Sequence, residues 1–305
     1  MTVRLRVIGL IAGDAHSQLA RDIARLTEAS LIPASVSAFA DGETRVRIEA
    51  DVQDADLYIV QPTSPPTNER LMTLALIADA ARAAGAARVT AVVPYFGYAR
   101  QDVRKSNGEP RSAQLAARIL RIAGIDRLVA LELHSAALES AFEMPLVHLQ
   151  ADELMLPVIR GWGIGDLAIV APDAGGMKRA QRYASALAAP LAVVAKGRPR
   201  PDVAVSLRVL GEVDGRRCLI VDDMASTGRT IVSAGRALLD AGAKEVHALF
   251  IHAVMAAGAL EDMCDASVRR IITTDSVHRD PDARVEVVAI APLLARTLTR
   301  LGAAT

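Results

Sequence analysis

The stretch CLIVDDMASTGRTI, residues 218–231, runs an apolar segment into two adjacent carboxylates, Asp222 and Asp223, and then into a turn of small and hydroxylated residues. Charge at the end of a buried strand needs a reason, because a carboxylate resists leaving water. Two carboxylates side by side can hold sugar hydroxyls or a divalent metal. The residues that follow, Ser226, Thr227, Gly228, Arg229 and Thr230, offer backbone N–H groups, three hydroxyls and one guanidinium to a phosphate. Acids for hydroxyls and a turn for phosphate together describe a ribose phosphate. The plainer alternative is a DD turn with Ser226 or Thr227 capping a helix.

The elements that must position these residues are legible in the hydropathy pattern. Short apolar runs alternate with longer Ala- and Leu-rich amphipathic stretches: RVIGLIA then SQLARDIARL, DLYIVQP then NERLMTLALIADAARAAG, RVTAVVP then SAQLAARILRIAG. The second half repeats the grammar, with LAIVAP before GGMKRAQRYASALA, RCLIVDD before RTIVSAGRALLDAG, and EVHALFIH before GALEDMCD. Strands separated by helices imply parallel sheets covered on both faces. In such sheets ligands bind beyond the carboxyl ends of the strands. Gly85, Gly124 and Gly242 each stand between a helical run and a strand, where a residue tolerating positive φ stops the helix.

With 305 residues the chain is long enough for two domains, and we expect two similar α/β domains, 1–146 and 147–305. Lys+Arg and Asp+Glu number 35 each, so no whole-molecule field gathers nucleic acid or an anionic membrane, and any anion site must be local. Two cysteines without bridge or metal spacing suit a reducing cytosol. No apolar run approaches bilayer length, and a cytoplasmic protein without a membrane partner is the expectation.

The DD…STGRT string resembles the phosphoribosyl-diphosphate loop of type I phosphoribosyltransferase folds. That loop serves several reactions, so other segments decide. VVPYFGYARQDVRKSNGEPRSAQLAARIL, residues 92–120, resembles the ATP-contacting segment of the ribose-phosphate pyrophosphokinases. SAFADGETRVRI, LELHSAALESAFEMP, IVAPDAGGMKRA and AKGRPRP are similar to that family's adenine-site, metal-histidine, aspartate and catalytic-lysine segments, in the same order. The resemblance covers nearly the whole chain and implies two tandem phosphoribosyltransferase-like domains, each a mainly parallel sheet flanked by helices.

It further implies diphosphoryl transfer from MgATP to ribose 5-phosphate, which would make the chain a transferase of the kinase type in nucleotide biosynthesis. ATP would be held by Phe39, Asp41, Glu43, Arg100, Gln101 and Asp102 in the first domain. Ribose 5-phosphate would be held by Asp222, Asp223 and residues 226–230 in the second, with the active site at the cleft the domains share. Lys196 and Arg198 would be catalytic, His134 and Asp173 would place Mg2+, and the assembly would be a homo-oligomer, a dimer or higher.

The residue chemistry agrees. Phe39, in a chain with 3% aromatics, can stack on a base, with Asp41 and Glu43 beside it to order the loop or accept from the exocyclic amine. Arg100 can lie on a base or meet phosphate oxygens. Lys196 and Arg198, in a Gly- and Pro-punctuated stretch expected to be a mobile loop, can neutralise charge on a polyphosphate. His134 and Asp173 each follow an apolar run, and magnesium suits them because it takes oxygen ligands from its nucleotide.

Three positions depart from the family's pattern. Ser226 stands where an acid is common in its bacterial enzymes, Arg229 where a small residue is common, and Glu132 where an aspartate precedes the metal histidine. A catalytically weak homologue that binds nucleotide and regulates a true synthetase is the alternative these changes raise, and a base-transferring phosphoribosyltransferase is a third reading.

Overall fold

The computed structural model describes residues 8–163, 165–197 and 206–303. The expected first strand is therefore seen from Ile8 onward, and Arg198 lies outside the described residues. The chain divides into two compact units.

The first unit carries β1 (Ile8–Ala12), α1 (Ser17–Thr27), β2 (Ser30–Leu31), β3 (Ala34–Ala38), β4 (Thr44–Ile48), β5 (Asp56–Val60), α2 (Thr67–Ala83), β6 (Arg88–Val93), α3 (Ser112–Ile122), β7 (Arg127–Leu131) and β8 (Leu146–Leu149). Six strands form one sheet in the order β2-β1-β5-β6-β7-β8, every pair parallel. The apolar runs read from the sequence become strands buried on both faces, with β5 wholly enclosed. Strands β3 and β4 stand apart as a two-stranded antiparallel hairpin.

The second unit carries α4 (Asp152–Gly161), β9 (Leu167–Ala171), α5 (Met177–Leu187), β10 (Leu191–Gly197), β11 (Ser206–Leu210), β12 (Arg217–Ala225), α6 (Arg229–Asp240), β13 (Glu245–Ala253), α7 (Ala259–Asp265), β14 (Val268–Thr274) and β15 (Val285–Val288). Its sheet has the order β11-β10-β9-β12-β13-β14-β15 and is parallel except for the β10/β11 edge.

The division differs from the expected 1–146 and 147–305. It falls after Gln150, and Ser276–His278 and Ala289–Thr305 join the first unit. The last helix, α8 (Ala291–Ala303), explains this. Its buried Ala291, Leu294, Ala295 and Leu298 recur at helical spacing and form the face that packs on α1, where Leu19, Ala20, Ile23 and Ala24 are buried. Enclosing a leucine stabilises by about 2 kcal/mol relative to leaving it in water, enough to draw the C-terminal helix back across the sequence. Gly85, Gly124 and Gly242 have φ of +87°, +95° and +90°, the left-handed stops the sequence led us to expect.

Candidate active site

In the first unit, Phe39 and the DGE turn form the β3–β4 connection. Phe39 N–H donates to Glu43 O at 2.8 Å, Gly42 N–H donates to Phe39 O at 2.9 Å, and the Asp41 carboxylate accepts from Glu43 N–H at 3.1 Å. Asp41 thus orders the turn, as its position suggested. Phe39 itself is 50% exposed, with the Arg45 guanidinium 5.6 Å from its ring centroid. An aromatic face left this open on a rigid turn is free to take a flat apolar partner.

Arg100, Gln101 and Asp102 follow β6. Gln101 N–H donates to Tyr98 O at 2.8 Å, Ser112 Oγ donates to Gln101 Oε1 at 2.7 Å, and Ser135 Oγ donates to Asp102 Oδ2 at 2.5 Å. Ser135 also caps the short 3-10 helix Ala136–Ala141. That bond brings Asp102 beside the residue that follows His134, so the segments after β6 and β7 meet at one edge. His134 is exposed there. Just before it, Glu132 is buried and takes φ +44°, with its N–H donating to Leu149 O at 2.8 Å. The residue is therefore enclosed by the fold rather than exposed beside His134.

In the second unit, Asp173 follows β9, Lys196 lies at the end of β10, and Asp222 and Asp223 lie near the end of β12. The order β10-β9-β12 makes these neighbouring parallel strands, so all three segments emerge at the same edge. The expected loop position of Lys196 is corrected: it is a strand residue, paired with Leu207 of β11. From the pairing of Val193 with Ala171, the strand carries position 196 roughly 10 Å past the end of β9 at about 3.3 Å per residue. Asp173 is exposed and its Oδ1 accepts from Gly176 N–H at 3.0 Å, closing the turn into α5.

The acid pair has a cation that sequence reasoning missed. Arg179, on the first turns of α5 and 8% exposed, places Nη1 3.6 Å from both Asp222 Oδ1 and Asp223 Oδ1. Asp222 Oδ1 also accepts from Asp223 N–H at 2.9 Å. Burial, together with the Asp223 charge, pushes the Asp222 carboxyl well above the usual range, while Arg179 opposes the shift. Folded protein therefore holds this proton at pH values where the unfolded chain, with an aspartate near about 3.9, has released it. Stability is lost as pH rises upward from that value, and Asp222→Asn should flatten this part of the urea-denaturation pH profile. A profile as steep as wild type would contradict it.

Residues 226–228 form the turn from β12 into α6, whose first two residues are Arg229 and Thr230. Gly228 is the residue before the helix, at φ +71°, and no side chain caps the helix start. The helix-cap alternative for Ser226 or Thr227 is thereby set aside. The turn is gripped from behind, where Met255 N–H donates to Ala225 O at 2.9 Å and Ala256 N–H donates to Ser226 O at 2.8 Å. Thr227, Arg229 and Thr230 remain exposed. A helix start with no side-chain cap is an anion cradle, since its first N–H groups and the positive end of the helix dipole point outward. A Cβ at Gly228 would stand 3.0 Å from Ala259 O in a backbone region that side chains disfavour. Gly228→Ala should therefore weaken binding of a sugar phosphate at this turn about tenfold by displacing the cradle. Calorimetric titration giving the wild-type constant would contradict this.

Among the described residues, no group of three or more His, Cys, Asp or Glu could hold a metal ion. His134 and Asp173 are each exposed donors at a strand edge. Each by itself offers a single donor, which fits an ion that keeps waters and borrows phosphate oxygens, the habit of magnesium, rather than an ion caged by protein. Among the described residues no helix is long and apolar enough to cross a membrane.

A parallel sheet whose edge offers an acid pair, a tight turn and an uncapped helix start defines a phosphoribosyltransferase-type domain, and residues 141–284 match the model described as the phosphoribosyl transferase domain. Residues 8–124 match the N-terminal domain of ribose phosphate pyrophosphokinase. The chain belongs to the ribose-phosphate pyrophosphokinase family. It is 36% identical to the Bacillus subtilis (strain 168) ribose-phosphate pyrophosphokinase over 94% of this chain and 92% of that one. With the Maricaulis maris (strain MCS10) ribose-phosphate pyrophosphokinase the identity is 40%, over 96% of each. The crystal structure of phosphoribosylpyrophosphate synthetase from Mycobacterium smegmatis superposes with a TM-score of 0.92 at 33% identity, covering 98% of this chain and 100% of that one.

Proposed function

We propose that the chain is a ribose-phosphate diphosphokinase that converts MgATP and ribose 5-phosphate to phosphoribosyl diphosphate and AMP. The observation that carries the reading is the β12–α6 connection, where an acid pair and an uncapped helix start lie within one turn of each other. Asp222 and Asp223 accept from the ribose hydroxyls. Residues 226–230 wrap the 5-phosphate with N–H groups and hydroxyls, Ser226 serving as a donor where an acid could only accept.

The adenine stacks on Phe39, whose turn Asp41 and Glu43 keep in shape, and Arg100, Gln101 and Asp102 bind the rest of the nucleotide. The anomeric oxygen forms a bond to the β-phosphorus. The bond from that phosphorus to the bridging oxygen of the α-phosphate breaks, AMP leaves with the electron pair, and the hydroxyl proton passes to solvent. The protein's task is alignment and charge stabilisation. Lys196 and Arg198 neutralise charge on the transferring group.

His134 and Asp173 would hold magnesium, which when bound neutralises phosphate oxygens and orients the polyphosphate. Cys218 and Cys264 are free thiols, in keeping with a cytosolic enzyme. We assign the working form to a homo-oligomer, as the family resemblance implies.

Nucleotide labelled separately at the β and γ positions tests the proposal. Both labels should appear together on the sugar. Transfer of the γ label alone would make the chain a simple sugar kinase and overturn the reading.

A further inference from the structure

Thr63 follows β5, is 1% exposed, and has no part in the reaction as described. Its hydroxyl accepts from Gly97 N–H at 2.6 Å and lies 3.2 Å from Tyr95 O, to which it donates. Thr63 N–H donates to the same carbonyl at 2.9 Å. Gly97 lies so close that a Cβ there would meet Thr63 O at 2.6 Å and Thr67 Cγ2 at 2.5 Å. The next residue, Tyr98, has φ +67°, and its hydroxyl donates to Asn68 Oδ1. Residues 63–68 therefore grip the chain leaving β6 at Tyr95, Gly97 and Tyr98. Two residues later it presents Arg100, and Gln101 N–H is tied back to Tyr98 O.

We infer that Thr63 is a positioning residue for Arg100, Gln101 and Asp102, acting through the Tyr95–Tyr98 turn. The inference rests on the nucleotide reading of that arm. A single hydroxyl oxygen here donates to a carbonyl and accepts from an N–H at once. Valine has the same shape and can do neither, so Gly97 N–H loses its acceptor. A buried donor left without a partner is costly, and the turn shifts to recover one. Arg100 and Gln101 then move with the turn. The sheet edge of the second unit is untouched.

The test is calorimetric titration of Thr63→Val, Thr63→Ser and Arg100→Ala, each with a magnesium-loaded non-hydrolysable ATP analogue and separately with ribose 5-phosphate, alongside thermal melting. Thr63→Val should weaken the nucleotide analogue about tenfold, leave ribose 5-phosphate within about twofold, and be rescued by Thr63→Ser. Equal weakening of both ligands, or failure of serine to rescue, would mean a general structural role and overturn the inference. Weak nucleotide binding in Arg100→Ala with wild-type binding in Thr63→Val would overturn the positioning role alone. Wild-type nucleotide binding in Arg100→Ala would overturn the nucleotide reading of the arm, and the positioning role with it.

Discussion

Lys196→Ala should lower the rate of diphosphoryl transfer roughly a thousandfold while leaving the dissociation constant of MgATP within about threefold. Position 196 lies at the end of β10, next to β9 and one strand from β12, so the backbone delivers it to the edge that carries Asp173, Asp222 and Asp223. In the proposed reading an ammonium contributes most when negative charge gathers on the phosphoryl group in flight, and the nucleotide in its ground state would already be held by the first unit and its own magnesium. Single-turnover rates at saturating substrates isolate the transfer step from binding. Lys196→Arg keeps the charge but not the compact point donor, and it should recover only part of the rate. A Lys196→Ala rate equal to wild type would remove this residue from the mechanism.

Arg179→Met should cost about 3 kcal/mol of stability and abolish measurable ribose 5-phosphate binding. The guanidinium faces two acids, one of them 5% exposed, and removing it leaves any negative charge on the pair without its cation in a poorly hydrated place. The pair would answer by taking up a proton, since the charge that opposed the shift of Asp222 is gone. The destabilisation should therefore grow as pH rises from the unfolded aspartate value, a pH dependence that a packing defect would not produce. Urea denaturation across a pH series reads it directly. A loss that does not change with pH, or none, would mean that Arg179 does not stabilise the pair.

Much of this edge was legible before any coordinates. Asp173, Asp222 and Asp223 close apolar runs, and a run buried on both faces of a parallel sheet leaves its charges nowhere to lie but the carboxyl edge. The turn at Gly228 and the helix stops at Gly85, Gly124 and Gly242 announce themselves because few other residues tolerate their φ.

Arg179 was not legible for a different reason. MKRAQR holds several basic residues on one amphipathic helix, and which of them points at the acids depends on how α5 lies on the sheet. The hydroxyl of Thr63 acts on residues 32 and 34 positions away, a pairing no local pattern encodes. The return of α8 to the first unit is equally non-local, because its apolar stripe says that it must be covered and not by what. The alternation in SVSAF and TRVRI has the period of a hairpin, and the DG between them supplies a turn. Lys196 looked like a loop residue because glycine and prolines follow it, although the strand extends through it to Gly197.

The central claim is that this chain moves two phosphoryl groups at once onto the anomeric oxygen of ribose 5-phosphate. Phosphorus NMR of the purified protein with MgATP and ribose 5-phosphate follows every reactant and product in one tube. The account predicts that AMP and a ribose-linked diphosphate grow in equal amounts as ATP and the sugar phosphate disappear. Persistence of ATP and ribose 5-phosphate, while titration shows that both bind, would contradict it and leave a nucleotide-binding regulator in place of an enzyme.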